Sequence, residues 1–392
     1  MRHRVCNEER SNGALGRVLK WFLAAIWLHG CGQGAAAEPW FGKAECKRVG
    51  LVDQDTGAEI SGIEDIVFEP ESGSLYLSAY DRLAVERAVS NKAASVPEGG
   101  LYSVKLDDLR SAASPLRLPR LTAGLPVPGG WRPHGLGLTQ PDNGERRLAV
   151  INRRYLMSQH GGWERRDTIE ILQMDEMGPT RIGSLDQPEL CNANNLTFFG
   201  PNRLLVTIDR ETCGRFPWRE FVLGQPRGRV LEIELDEHGG VAQSIRTVRS
   251  ELPVANGIAA SRARSHVFVA LTRGTAILVG HLSATGPESW STIPLDGGPD
   301  NLSLVGDGPL VAAVLPSLFR FALYRYDLFG IATAPSVIDR IDPDNGAVVP
   351  LYRDEEGTQF SGATSAIFYD GTLIAGSVRD RGVLVCTKAA KP

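Results

Sequence analysis

Short polar motifs return along this chain at similar intervals, and a repeat of that size leaves few folds open. They read Gly62-Ile63-Glu64-Asp65, Pro133-His134-Gly135, Asn192-Ala193-Asn194-Asn195, Ala255-Asn256-Gly257, Pro299-Asp300-Asn301 and Phe360-Ser361-Gly362-Ala363-Thr364. With Glu64, His134, Asn194, Asn256, Asn301 and Ser361 as markers, the steps are about 70, 60, 62, 45 and 60 residues. Such a period signals a repeat architecture whose units each deliver one loop to a common site. Asp, Glu and Asn oxygens meeting at one point make a hard, oxygen-rich pocket, which suits calcium. The pattern predicts a propeller with a metal in its central channel.

Each polar marker opens a similar stretch. Glu64-Asp65 leads into Ile66-Val67-Phe68, a turn at Glu71-Ser72-Gly73, then Ser74-Leu75-Tyr76. Asn194-Asn195, Asn256 and Asn301 are followed by the same order of strand, tight turn and strand. Further short apolar runs cover 147–151, 168–172, 203–208, 230–235, 266–271 and 372–376. Several alternate apolar and polar residues with period two, as half-buried strands do. Helical periodicity is scarce. Its best instance is 81–89, with Leu83, Ala84, Ala88 and Val89 as apolar positions. Closely spaced strands with few helices predict an all-β repeat fold, and six markers predict a six-bladed β-propeller.

Charge and cysteines bound the setting. The 392 residues carry a net charge of −4 with both signs interspersed. No basic stripe exists to meet a phosphate backbone, so nucleic acid is not expected as a partner. Arg2, Arg4, Arg17 and Lys20 precede an apolar run at 21–28 that is too short to span a bilayer. Ala35-Ala36-Ala37 then offers a small-residue cleavage site. Residues 1–37 read as a signal peptide or an N-terminal anchor. Leu28-His29-Gly30-Cys31 also resembles a bacterial lipoprotein box, which would lipidate Cys31 and attach the chain to a membrane. All three readings export residues 38–392, to the periplasm or beyond.

Export makes the remaining cysteines legible. Cys46, Cys191, Cys213 and Cys386 permit three pairings. A circular propeller brings its ends together, so a Cys46–Cys386 bond would lock the ring. Closing so long a loop is worth about 4–5 kcal/mol in chain-entropy models. Cys191 and Cys213 are the natural second pair, with two buried free thiols as the alternative.

Taken jointly, the order and spacing of these motifs resemble the paraoxonase/arylesterase family from about Cys46 to Cys386. That resemblance implies a six-bladed propeller acting as a calcium-dependent lactonase and arylesterase. Residue by residue, it implies a catalytic calcium held by Glu64, Asn194, Asn256, Asp300 and Asn301. It implies a second, structural calcium at Asp65 and Asn195, where the family has Asp in place of Asn195. The family's end-to-end disulfide maps onto Cys46 and Cys386, and the first histidine of its dyad onto His134. The second, nineteen residues on, falls on Arg153 in Asn152-Arg153. A guanidinium stays protonated, so Arg153 cannot serve as a base. The third active-site histidine falls near Leu315-Pro316, and His160 is shifted off the motif.

The implied chemistry follows from residue type. Two carboxylates and three carboxamides hold the ion yet leave it electrophilic toward a carbonyl oxygen. His134 is the candidate base, because its ordinary pKa lies near neutrality. Arg153 is a candidate to polarise a carbonyl or to bind a carboxylate of the substrate. Three functions are compatible with these residues: hydrolysis of lactones or aryl esters, sugar-lactone hydrolysis, and a non-catalytic calcium-bound propeller that binds a small molecule or protein. Residues 81–100 and 155–166 should shape the channel mouth, without readable chemistry of their own.

Overall fold

The computed structural model describes residues 37–388, apart from 114, 140–145, 160, 177, 214–219, 221–222, 284–285 and 307. The expected leader, with Cys31, lies outside the described residues but for its last position, and so does His160. Among the described residues no helix is long and apolar enough to cross a membrane.

Six antiparallel sheets stand around one axis. Five have four strands, and the first has three: Ile63–Glu69, Ser74–Ala79 and Gly100–Lys105. The innermost strands are Ile63–Glu69, Pro133–Thr139, Ala193–Phe198, Ala255–Ser261, Gly298–Leu304 and Ala363–Tyr369. Each packs against the innermost strands of its two neighbours, and the sixth packs back on the first, so the ring is closed. The last sheet takes its outer strand, Cys46–Val49, from the start of the propeller. Cys46 pairs directly with Cys386 there, and the two form a disulfide. Cys191 and Cys213 form the second.

Period-two alternation explains how the blades cohere. In the strand Arg203–Ile208, Leu204, Val206 and Ile208 face the preceding blade, where Ile151, Ile169 and Ile171 meet them. Leu205 points the other way, toward Ile258, Val267 and Val269. Six such apolar clusters fill the six interfaces between neighbouring blades. Each fully buried Leu or Ile contributes about 1.5–3 kcal/mol. The ring is therefore held by its spaces between sheets, which leaves the axis free for polar groups.

All six innermost strands break register near their beginnings, and five of the six polar markers sit in those breaks. Pairing with the second strand skips between Ile63 and Asp65, Pro133 and Leu136, Ala193 and Leu196, Ala255 and Ile258, Pro299 and Leu302, and Ala363 and Ser365. A bulge re-aims side chains and frees backbone groups. In the sixth blade it falls at Thr364, whose hydroxyl donates to the Glu64 carbonyl at 3.2 Å. Ser361 precedes that strand and instead accepts from Ala334 N, so Thr364 is the true sixth marker.

Candidate metal centre

Hydroxyls on the second strands, or just past their ends, take up polar groups of the bulges. Ser78 Oγ accepts from Asp65 N at 3.1 Å, and Thr207 Oγ1 from Asn195 N at 3.0 Å. Thr272 Oγ1 accepts from Asn256 Nδ2 at 3.1 Å and donates to Pro299 O at 2.7 Å. Two glycines let the blades approach. A Cβ at Gly135 would stand 2.6 Å from Asn194 O and Asn195 Cα. One at Gly257 would stand 2.5 Å from Asp300 O and Leu302 N.

At the strand beginnings Glu64 lies near Asp300, Asn256 hydrogen-bonds Asp300, and Asn194 holds the matching position on the third innermost strand, all of them buried. Asn256 turns its amide nitrogen to Thr272 and hydrogen-bonds Asp300. Among the described residues its Oδ1 is left buried without a partner, and so is Asn194 Oδ1. Burial first, and then the nearby Glu64 carboxylate, push the Asp300 carboxyl well above the usual range. Two carboxylates that repel each other beside two unsatisfied carboxamide oxygens form a donor set for a hard cation. The residues fit calcium.

The adjacent Asp65 and Asn195 behave differently. Asp65 Oδ1 accepts from Ile66 N at 2.9 Å, and Oδ2 from Leu136 N at 2.8 Å and Asn195 Nδ2 at 3.1 Å. Burial holds this carboxyl up at about 8, against those N–H bonds. Asn301 belongs with this pair: its Oδ1 accepts from Asn195 Nδ2 at 2.6 Å, and its Nδ2 donates to Glu64 O at 2.8 Å. Asp65 and Asn195 line a cavity of about 110 Å³ that continues along the axis between Val67, Leu196, Ile258 and Leu302.

The arylesterase family model matches residues 97–387, well over half of the chain. The chain belongs to the arylesterase family. No curated protein matches it. Among solved structures, it is similar to a luciferin-regenerating enzyme at 13% identity, covering 87% of this chain and 96% of that one, with a TM-score of 0.47. It is also similar to the calcium-binding protein regucalcin from Agrobacterium tumefaciens strain C58, at 13% identity, 90% and 94% coverage and a TM-score of 0.46. Virginiamycin B lyase from Staphylococcus aureus follows at 12% identity, 88% and 99% coverage and a TM-score of 0.44.

In this arylesterase-family chain, His134 is buried at the edge of the cage, with Nδ1 3.8 Å from Glu64 Oε1. Burial, then Arg153 and Arg82, hold it well below the ordinary histidine range, so the ring is neutral. Arg82 Nη2 donates to Nδ1 at 2.9 Å, which leaves the ring proton on Nε2. Nε2 is buried without a partner among the described residues.

Arg82 is the residue that sequence reasoning missed. The helix Arg82–Ser90 buries Arg82 and Val85, not the four apolar positions expected. Arg82 Nη2 lies 2.8 Å from Glu64 Oε2 and its Nη1 donates to the Tyr80 hydroxyl. Hairpin register holds the signal that could have found it. Ile63 pairs with Ala79, so Tyr80 to Arg82 must emerge at the channel mouth beside Glu64. The same rule places Arg153, since Pro133 pairs with Asn152.

Arg153 Nη1 donates to the Tyr80 hydroxyl at 3.3 Å, and its Nε is buried without a partner among the described residues. Burial works against its charge, but Tyr80, Asp167 and Glu64 outweigh that and raise its pKa further. Its cross-strand neighbour Asp167 is taken by Arg165 at 3.1 Å and by Asn192 N at 2.9 Å. Among the described residues, no carboxylate pairs with Arg153 at ion-pair distance.

Proposed function

We propose that this chain is an exported, calcium-dependent hydrolase of lactones with weaker action on aryl esters. The observation that carries the reading is the pair of buried oxygens on Asn194 and Asn256 that have no partner among the described residues, at the same ring level as Glu64 and Asp300, in a member of the arylesterase family. Calcium held by Glu64, Asn194, Asn256 and Asp300 would act as a Lewis acid, polarising the ester carbonyl and stabilising the charge that develops on its oxygen. A lactone holds its ester in the cis-like geometry that one ion can approach from one side.

The chain's own residues supply the rest. His134 is neutral, with its lone pair on Nδ1 at the cage edge, and takes the proton of the attacking water there. Arg82 now donates to that lone pair, so it must turn toward a substrate oxygen for the base to act. Arg153 is a guanidinium with no carboxylate at ion-pair distance among the described residues, and it binds a carboxylate on the substrate. Two disulfides fit an oxidising compartment. Residues 1–37 direct the export, and retention of that segment or lipidation of Cys31 would attach the chain to a membrane.

Turnover of a lactone and aryl-ester panel by the purified chain, with and without chelator, tests the reading. Activity should appear with calcium and vanish with chelator. No turnover of any panel member by calcium-loaded protein would favour a non-catalytic propeller that binds a small molecule. The Arg82 contact that covers the His134 lone pair is the observation in favour of that alternative.

A further inference from the structure

The family resemblance implies a second, structural cation beside Asp65 and Asn195. The hydrogen bonds at that place leave nothing for a cation to do. We infer that the carboxamide of Asn195 replaces this ion, and that the propeller is pinned there by a metal-free hydrogen-bonded hub across four blades.

The N–H bond that each of these oxygens already accepts carries the inference. Leu196 N donates to Asn195 Oδ1 at 2.6 Å, and a backbone N–H can only donate, so the orientation of this amide is fixed. Its nitrogen therefore faces Asp65 Oδ2 and Asn301 Oδ1, using both hydrogens. Asn301 is fixed in the same way, because its nitrogen donates to the Glu64 carbonyl, which can only accept. Asp65 already has three N–H donors, from Ile66, Leu136 and Asn195. Asn195 and Asn301 are each separated from their partner by more than 100 residues: 130 for Asn195 to Asp65 and 106 for Asn195 to Asn301. An N–H group thus points at Asp65 where a bound cation would need an open oxygen. A ligand set whose oxygens each already accept an N–H, with amide hydrogens occupying the space between them, does not fit calcium.

An aspartate at 195 would invert this. It would offer an oxygen where the amide offers hydrogens, and would face Asp65 with a like charge that only a cation relieves. The test counts calcium per folded chain by elemental analysis after equilibrium dialysis, with melting in chelator as a second readout. Asn195→Asp should bind one more ion than the wild type. In chelator it should melt below the wild type, and calcium should recover that loss. Glu64→Gln, which damages only the cage, should retain no ion at the hub. A wild type with two ions, a Glu64→Gln chain that keeps one, or an Asn195→Asp chain that gains none while folded would overturn the inference. Should Asn195→Asp fail to fold, the counts on the wild type and on Glu64→Gln still decide. A wild type that binds no ion, beside an Asn195→Asp chain that binds one, would support the hub and remove the cage.

Discussion

Glu64 and Asp65 are neighbours in one bulge, as Asn194 and Asn195 are in another, yet the two pairs meet opposite fates. The first members lie at the strand beginnings, as Asp300 and Asn256 do, where carboxamide oxygens have no partner among the described residues. The second members turn along the axis, where backbone N–H groups and one amide satisfy every oxygen. Residue type does not separate the regions, since both hold carboxylates and carboxamides. What differs is the supply of N–H donors from adjoining strands. A cation would be called for where that supply runs out.

The comparison can be broken most forcefully at Glu64. Glu64→Gln should lower turnover by about 10²–10³, as when a transition-state stabiliser is lost. In chelator it should also cost about 3–5 kcal/mol by denaturant melting, because Arg82 is left as an unpaired buried charge. Adding Arg82→Met should recover much of that stability and none of the turnover, which separates folding from chemistry.

The next effect is steric. Gly257→Ala pushes a methyl against the backbone at Asp300 and Leu302 and should cost about 1–3 kcal/mol. Gly200→Ala meets only the Arg203 Cβ at 3.7 Å and should change stability by less than about 0.5 kcal/mol. Similar melting curves for the two variants would mean that the inner strands do not approach this closely.

Smaller effects sharpen the account of the mouth. Arg82→Gln removes a fixed cation 2.8 Å from Glu64 Oε2 and should tighten calcium binding about tenfold, or about 1.4 kcal/mol, by titration. Arg153→Gln should raise KM about tenfold for lactones bearing a carboxylate and leave neutral lactones unchanged. Equal effects on both substrate classes would show that Arg153 does not read substrate charge.

The ring was legible because its signals repeat. Strand runs at 203–208 and 266–271 agree with the strands found, and the other runs fall inside longer ones. Five of the six markers lie in bulges for the same reason, whereas Ser361 misses by three residues because Thr364 carries the sixth. The helix at 82–90 was visible, but its buried face was not. An arginine reads as solvent-facing unless its ion partner, Glu64, is known to lie across the hairpin. The split between cage and hub was equally hidden. Asn301 was expected to serve the ion, yet its oxygen accepts from Asn195, a contact 106 residues away. Contacts of that range depend on the closed ring and leave no local trace in the sequence.

A crystal grown in calcium would test the central contrast most directly. The account expects one ion on the axis, about 2.3–2.6 Å from oxygens of Glu64, Asn194, Asn256 and Asp300, with Asn195 still donating to Asp65 and Asn301. An ion between Asp65 and Asn195, or an empty cage at saturating calcium, would contradict it.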